Sequence, residues 1–340
     1  GQTFFQSNLF TLYHFYTDTS CMKRKWIRRV GWILLTPIIL FVILMVLLYI
    51  PPVQNLLRRE VTAYASKATG MQIQVERIDL RFPLNLLVRG VEVIQQPDTL
   101  LSLESLNVRV QAWPLLKGKV EVDEVTLSQV AVNSANLIEG MQIKGVLGRF
   151  FLQSHGVDLS NETAVVNRTE LSDTHIQLLM TDTTTTPKDT TASAPVNWKV
   201  NLHQLKLKNV SFGMKLPADS MKMAAYIGEA TIDDAKADLK NQFYGLKQFL
   251  LSGASASYDT GEAQPSEGFD ASHMAVRNIR IGLDSLLYEG RNMNAVIREI
   301  TMEERSGLSI TSLTGRLFSN DSIIRIPELK LQTPHSEIDL

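Results

Sequence analysis

Few residues in this chain are placed to do chemistry. The six histidines, His14, His155, His175, His203, His273 and His335, are scattered. None falls in a His-Glu-x-x-His helix or another metal-ligand spacing. There is no Gly-x-Ser-x-Gly elbow. Gly140 and Gly145 have the spacing that opens a phosphate loop but lack the following Lys-Ser/Thr, so they read as a turn and a packing feature. Asp233 and Asp234 are adjacent carboxylates that acid–base chemistry could use; on a β edge such a pair reads as a solvated turn. Cys21 is the only cysteine, which removes disulfides, Cys-x-x-Cys redox chemistry and cysteine metal sites. Asn161, Asn167, Asn209 and Asn320 match glycosylation acceptors, which matter only on a eukaryotic secretory route. No catalytic residue, metal ligand or cofactor is assigned. The net charge is -1, leaving no basic excess to hold nucleic acid.

What the sequence supplies instead is apolar surface. Residues 32–50 contain no charge. As a helix they would reach ~28 Å, close to the hydrocarbon core of a bilayer. The anchor residues are Trp32, Ile33, Leu34, Leu35, Ile38, Ile39, Leu40, Phe41, Val42, Ile43, Leu44, Val46, Leu47 and Leu48. A cleaved signal peptide is the alternative, but its apolar core would be shorter and end in small residues, whereas this one ends at Pro51 and Pro52. Lys23, Arg24, Lys25, Arg28 and Arg29 precede the run and outweigh Arg58 and Arg59 behind it. The heavier cationic side stays cytoplasmic, so residues beyond about 51 lie outside the cytoplasm. Residues 1–21 read as a non-native or disordered leader, the alternative being a genuine aromatic-rich extension. Residues 22–50 are then the basic region and transmembrane helix.

Residues 51–70 read as an amphipathic helix. Val53, Leu56, Leu57, Val61, Tyr64, Ala65 and Ala68 recur at helical spacing, and Gly70 stands at the C-cap. From Met71 the pattern changes. Ile73, Val75, Ile78 and Leu80 are apolar at i, i+2, i+5 and i+7. The spacing returns at Val120, Val122, Val125, Leu127, at Val200, Leu202, Leu205, Leu207, and at Ile324, Ile326, Leu329, Leu331. Neither a helix nor strict alternation gives it. A strand with one extra residue does, because a bulge keeps the apolar set on one face. The expected fold is therefore mainly β: a transmembrane helix, an amphipathic helix, then an elongated, curled, mostly antiparallel sheet with an apolar inner face and few short helices. Short helices are expected at 136–153 and 239–251. Residues 71–180 form a first β-rich unit and 196–340 a continuing one, read as truncated at its end. Thr181 to Pro195 is a Thr-rich linker, and 254–272 a second polar loop. An ordinary antiparallel sandwich remains the open alternative.

The order of these features resembles the N-terminal region of AsmA-like envelope proteins. The basic start, single anchor and amphipathic helix lead into Ile73, Val75, Ile78, Leu80, Phe82, Pro83 and Leu84. Leu100 to Val110, Trp113 to Val120 and Val125 to Leu127 continue as strand, turn and strand. Residues 136–145, 182–187 and 306–315 are similar to the TamB branch of that family. The resemblance covers 22–340. It implies a single-pass bacterial inner-membrane protein with its N-terminus cytoplasmic and the rest periplasmic. It also implies a β-sheet conduit (β-taco) for phospholipid between the inner and outer membranes, and a link to outer-membrane biogenesis. The family offers no catalytic residues to carry over. Binding to an outer-membrane β-barrel partner would use a C-terminal region outside 22–340.

The first functional expectation is thus a tethered groove for phospholipid acyl chains, lined by Val120, Val122, Val125, Leu127, Leu202, Leu205 and Leu207. The alternative is an assembly or translocation factor for barrel or secreted proteins, holding client strands by β-augmentation. A membrane-anchored enzyme would need a polar constellation that the sequence does not offer.

Overall fold

The computed structural model describes residue 46 and residues 49–340, apart from 83, 116–120, 135–136, 138–139, 159–160, 181–196 and 262–263. The proposed membrane segment, the leader, Val120 and the Thr-rich linker lie outside the described residues, Val46, Tyr49 and Ile50 excepted. Among the described residues no helix is long and apolar enough to cross a membrane.

The chain divides into two units between Leu57 and Arg58, and helix α1 (Pro51–Thr69) runs through the division. Its N-terminal prolines need no amide partner in the first turn. It stops at Gly70, whose φ of +69° no β-branched residue would take up cheaply. The helical spacing read over these residues is present as a helix. Arg58 donates to the carbonyls of Val75 and Glu76 at 3.3 and 3.1 Å, and Ser66 Oγ accepts from the Ile73 amide at 3.1 Å. The polar side of α1 therefore covers strand-edge backbone that would otherwise be unpaired. Val61 and Tyr64 stay exposed.

One sheet holds all sixteen strands found among the described residues, and the fold is mainly β. The first half comprises β1 (Gln72–Arg81), β2 (Asn85–Gln95), β3 (Asp98–Val110), β4 (Val122–Asn133), β5 (Met141–Asp158) and β6 (Thr163–Met180). A one-turn helix, α2 (Ala112–Leu115), lies between β3 and β4. The second half comprises β7 (Lys199–Leu216), β8 (Met221–Asp238), β9 (Phe243–Leu246), β10 (Gln248–Asp259), β11 (His273–Glu289), β12 (Asn292–Glu304) and β13 (Ser309–Ser319). Three short strands close it: β14 (Ile324–Arg325), β15 (Lys330–Gln332) and β16 (Glu337–Asp339). Order in space follows order in sequence, and every pairing is antiparallel except β6 with β7. Chain-adjacent hairpins explain this order, since they need only short turns. β9 and β10 share one lane between β8 and β11, broken at Lys247.

Both expected short helices are corrected. Residues 136–153 fall largely in β5, where Ile143, Gly145, Leu147, Phe150 and Leu152 repeat the slipped strand spacing around Gly148. Residues 239–251 include β9 and the start of β10. The polar loop placed at 254–272 begins only after Asp259, because β10 extends that far. The strand read across 324–331 is split, with Pro327 and a left-handed Glu328 (φ +59°) between β14 and β15.

Candidate functional site: an apolar face and a polar-face trough

The slipped spacing has a structural cause. Down most of the sheet, the register skips one residue on both partners at the same height. Glu76 and Gly90 are skipped between β1 and β2, then Glu104, Gln129, Gly148, Asp173, Asn209 and Gly228 in turn through β8. Gln129, Asp173 and Asn209 adopt φ of +49°, +51° and +53°. Gly90 has φ +59°, and a Cβ there would stand 2.7 Å from the Glu76 Cβ, so only glycine fits. Asn209 Nδ2 donates to Asp173 Oδ1 at 2.7 Å, which ties the seam together across β6 and β7. Asn and Asp suit such positions because their short polar side chains tolerate left-handed backbone.

A second seam crosses at Asn167, His203 and Asp234 (φ +50°). Asp234 accepts from Lys247 Nζ at 2.7 Å and lies 3.2 Å from His203 Nδ1. The hydrogen bond from Lys247, then that from His203, holds its carboxyl below the usual range. The adjacent acids therefore sit in mid-strand and not in the turn expected of them: Asp234 in this bulge, Asp233 taking a bond from Gln204 at 3.1 Å. Further along, Arg298 pairs with Asp284 at 3.1 Å.

Because each seam absorbs one residue, the apolar set stays on one side. Following register partners across the sheet gives one unbroken row: Ile78, Val88, Leu106, Leu127, Phe150, Leu171, Leu207, Ala230, Leu251, Ile281, Ile300, Leu313, Leu331, Ile338. The neighbouring row runs Leu80, Leu86, Val108, Val125, Leu152, Thr169, Leu205, Ile232, Phe249, Leu283, Ile297. The opposite face carries rows such as Arg77, Arg89, Ser105, Ser128, Arg149, Ser172, Lys208 and Glu229.

Of the residues read as lining, Leu127 and Leu207 share the first row, and Val125 and Leu205 the second. Leu202 stands beside Val166 and Ala235, and Val122 beside Val110. All six are half-buried. Among the described residues no large side chain is fully buried, and Val132, Ile176 and Phe212, on the same face, are 37–40% exposed. A second protein layer sealed over this face would bury such side chains.

The polar face carries a feature the sequence reading missed. At one end of β5–β12 a trough of about 1030 Å³ opens. Its floor is a register row of small residues, Gly213, Ala224, Ser257 and Ala275. Lys215 and Lys222 are direct cross-strand partners along one side. His175 Nδ1 lies 2.6 Å from Ser211 Oγ, the nearest approach here to a base and nucleophile. Gln177 Nε2 can only donate, so His175 Nε2 at 2.9 Å accepts and Nδ1 holds the proton. His175 thus donates to Ser211, and in that tautomer it is no base for it.

A scan of the sequence against protein-family models finds no match, and a search of curated proteins finds none at a significant level.

Proposed function

We propose that the chain is an inner-membrane-anchored conduit whose apolar sheet face carries phospholipid acyl chains across the bacterial envelope. The observation that carries this reading is the fourteen-strand apolar row, continuous from Ile78 to Ile338 and half-exposed along most of its length, Ile78 and Ala230 being buried. At ~4.8 Å per strand it traces roughly 60 Å. Each CH₂ covered by such a face gains ~0.8 kcal/mol, so a few lanes retain an acyl chain while near-equivalent neighbours let it advance. The aligned bulges support a curled sheet with this face inward, because a bulge bends and twists its strand and bends at one height add. The uncharged run at 32–50 supplies the anchor, and the exposed Val61 and Tyr64 of α1 suit the membrane interface.

Photo-crosslinking amino acids placed at Leu127, Leu207 and Phe212 in living cells test it, with Lys206 and Lys208 on the polar face as controls. Phospholipid adducts confined to the first three are expected. Adducts at none of them, or equally at all five, overturn the reading. Capture of an outer-membrane barrel protein in place of lipid selects the assembly role instead.

A further inference from the structure

The trough on the polar face contains more positive charge than the protein neutralises. Lys144, Lys215, Lys222 and Arg305 border it, and none forms an ion pair among the described residues. Arg277 also lines it but is engaged by Glu303 at 3.0 Å. The one carboxylate in the lining, Glu304, is buried and turned to backbone, accepting from the Ser306 amide at 2.6 Å and the Ala275 amide at 3.4 Å. Asp259 is the register partner of Lys222 yet makes no ion pair with it among the described residues. Like charges directly opposite one another across an antiparallel pair destabilise the sheet. Lys215 and Lys222 are such a pair, on a molecule whose net charge is only -1.

We infer that this trough binds an organic phosphate. Lysine meets phosphate as a compact point charge with three donors, and four unpaired cations around one opening raise the local anion concentration. Ser211, Ser255 and Ser257 add hydroxyl donors beside the floor. The volume lies at the upper end for small-molecule sites and exceeds what inorganic phosphate would fill. The ligand therefore has a body, which rests on Ala224, Ala275 and the ring of Tyr226. The site lies on the face opposite the apolar rows, so it does not depend on the conduit reading. A lipid headgroup and a soluble phosphate ester share the required chemistry.

Titration calorimetry on the full chain in uncharged detergent separates these sources, with dihexanoyl phosphatidic acid and glycerol 3-phosphate as probes. The K215Q/K222Q double variant should weaken binding of the recognised probe at least tenfold, while K206Q, on the same face away from the trough, leaves it unchanged. Binding of the lipid alone assigns a headgroup; equal binding of both assigns a soluble ester. Binding of neither probe, or binding that the double variant leaves intact, overturns the inference. A second readout guards against a misfolded variant. Without ligand, K215Q should raise the thermal midpoint by relieving the opposed charges. A lowered midpoint counts against the strained pair on which the inference stands.

Discussion

Replacing Asn209 by valine tests the feature on which the two-faced sheet depends. In a regular strand valine is among the best residues and glycine among the worst, with a spread of ~1 kcal/mol. Asn209 is not in a regular conformation. Its φ is +53°, and its side chain donates to Asp173 at 2.7 Å. A non-glycine residue there pays roughly 1–2 kcal/mol for left-handed backbone, and β-branching makes valine the costlier choice. The lost hydrogen bond adds about 0.5–1 kcal/mol. Asn209→Val should therefore cost about 1.5–3 kcal/mol. For a unit of this size that is a fall in Tm of roughly 3–5 °C. Asn209→Gly loses the hydrogen bond but sheds the strain and should stay within about 1 kcal/mol of the parent. Thermal unfolding of the full chain in detergent, followed by far-ultraviolet circular dichroism, reads both. The order glycine above valine is diagnostic. If valine proves the more stable, the residue lies in plain strand, and the bulge that returns Val210 and Phe212 to the face of Leu207 is not there.

The other expectations concern the sheet's margins. Asp270 accepts from the Ser266 amide at 3.0 Å, from Ser272 and from His273, and the first of these holds its carboxyl far below the usual range. A depressed carboxylate stabilises above the unfolded pKa of ~3.9 and loses that contribution as pH falls toward the folded value. Amide exchange at residues 266–273 should accordingly stay flat from pH 7 to about pH 4, after correction for intrinsic rates. Protection should fall below that, and Asp270→Ala should abolish the transition; protection lost already at pH 6 refutes it. Arg58→Ala removes the donor to Val75 and Glu76 and should cost about 1 kcal/mol while freeing the edge of β1. Concentration-dependent self-association by analytical ultracentrifugation would register the freed edge, and unchanged sedimentation with unchanged β1 exchange would refute the edge-cover role.

The slipped spacing was readable because burial leaves a period in the chain: Leu202, Leu205, Leu207 and Val210 can share a face only with an extra residue between Leu202 and Leu205 and another between Leu207 and Val210. Which residue would be extra was not readable. In β7 it is Asn209, but in β2 and β5 it is Gly90 and Gly148, so no single residue type marks the seam. Its alignment across eight strands is a property of pairing, which a single chain does not display. The misread helix at 136–153 has the same origin, since the slip at Gly148 brings Leu147 and Phe150 to a three-residue spacing that mimics a helix. Helix α1 was legible as a helix, but the sequence did not show which of its sides would meet β1. Its period is helical, and the edge of β1 takes hydrogen-bond partners from the side bearing Arg58, a donor, and Ser66, an acceptor. The trough's lysines were within reach of the sequence. Pro217 to Ser220 is a turn, and folding the chain there sets Lys215 against Lys222.

A catalytic centre requires one place unlike all others, and the apolar face has the reverse property. From Val88 to Leu331 each step along the main row exchanges one aliphatic or aromatic partner for another of similar reach, with Ala230 the smallest. A guest held by dispersion and burial then meets nearly the same free energy in each lane. Strict alternation could not produce this over strands as long as β5 to β8, because their twist accumulates along the strand. The seam through Asn209 holds one height from β1 to β8, and in β6 to β8 a second lies six residues away, so the side-chain direction is corrected at the same places on neighbouring strands. The residues that do most for transport in this reading are therefore Asn209, Asp234 and Gly90, none of which touches the guest. Their substitution should disturb lipid passage through the continuity of the rows and leave the affinity of any one lane largely as it was.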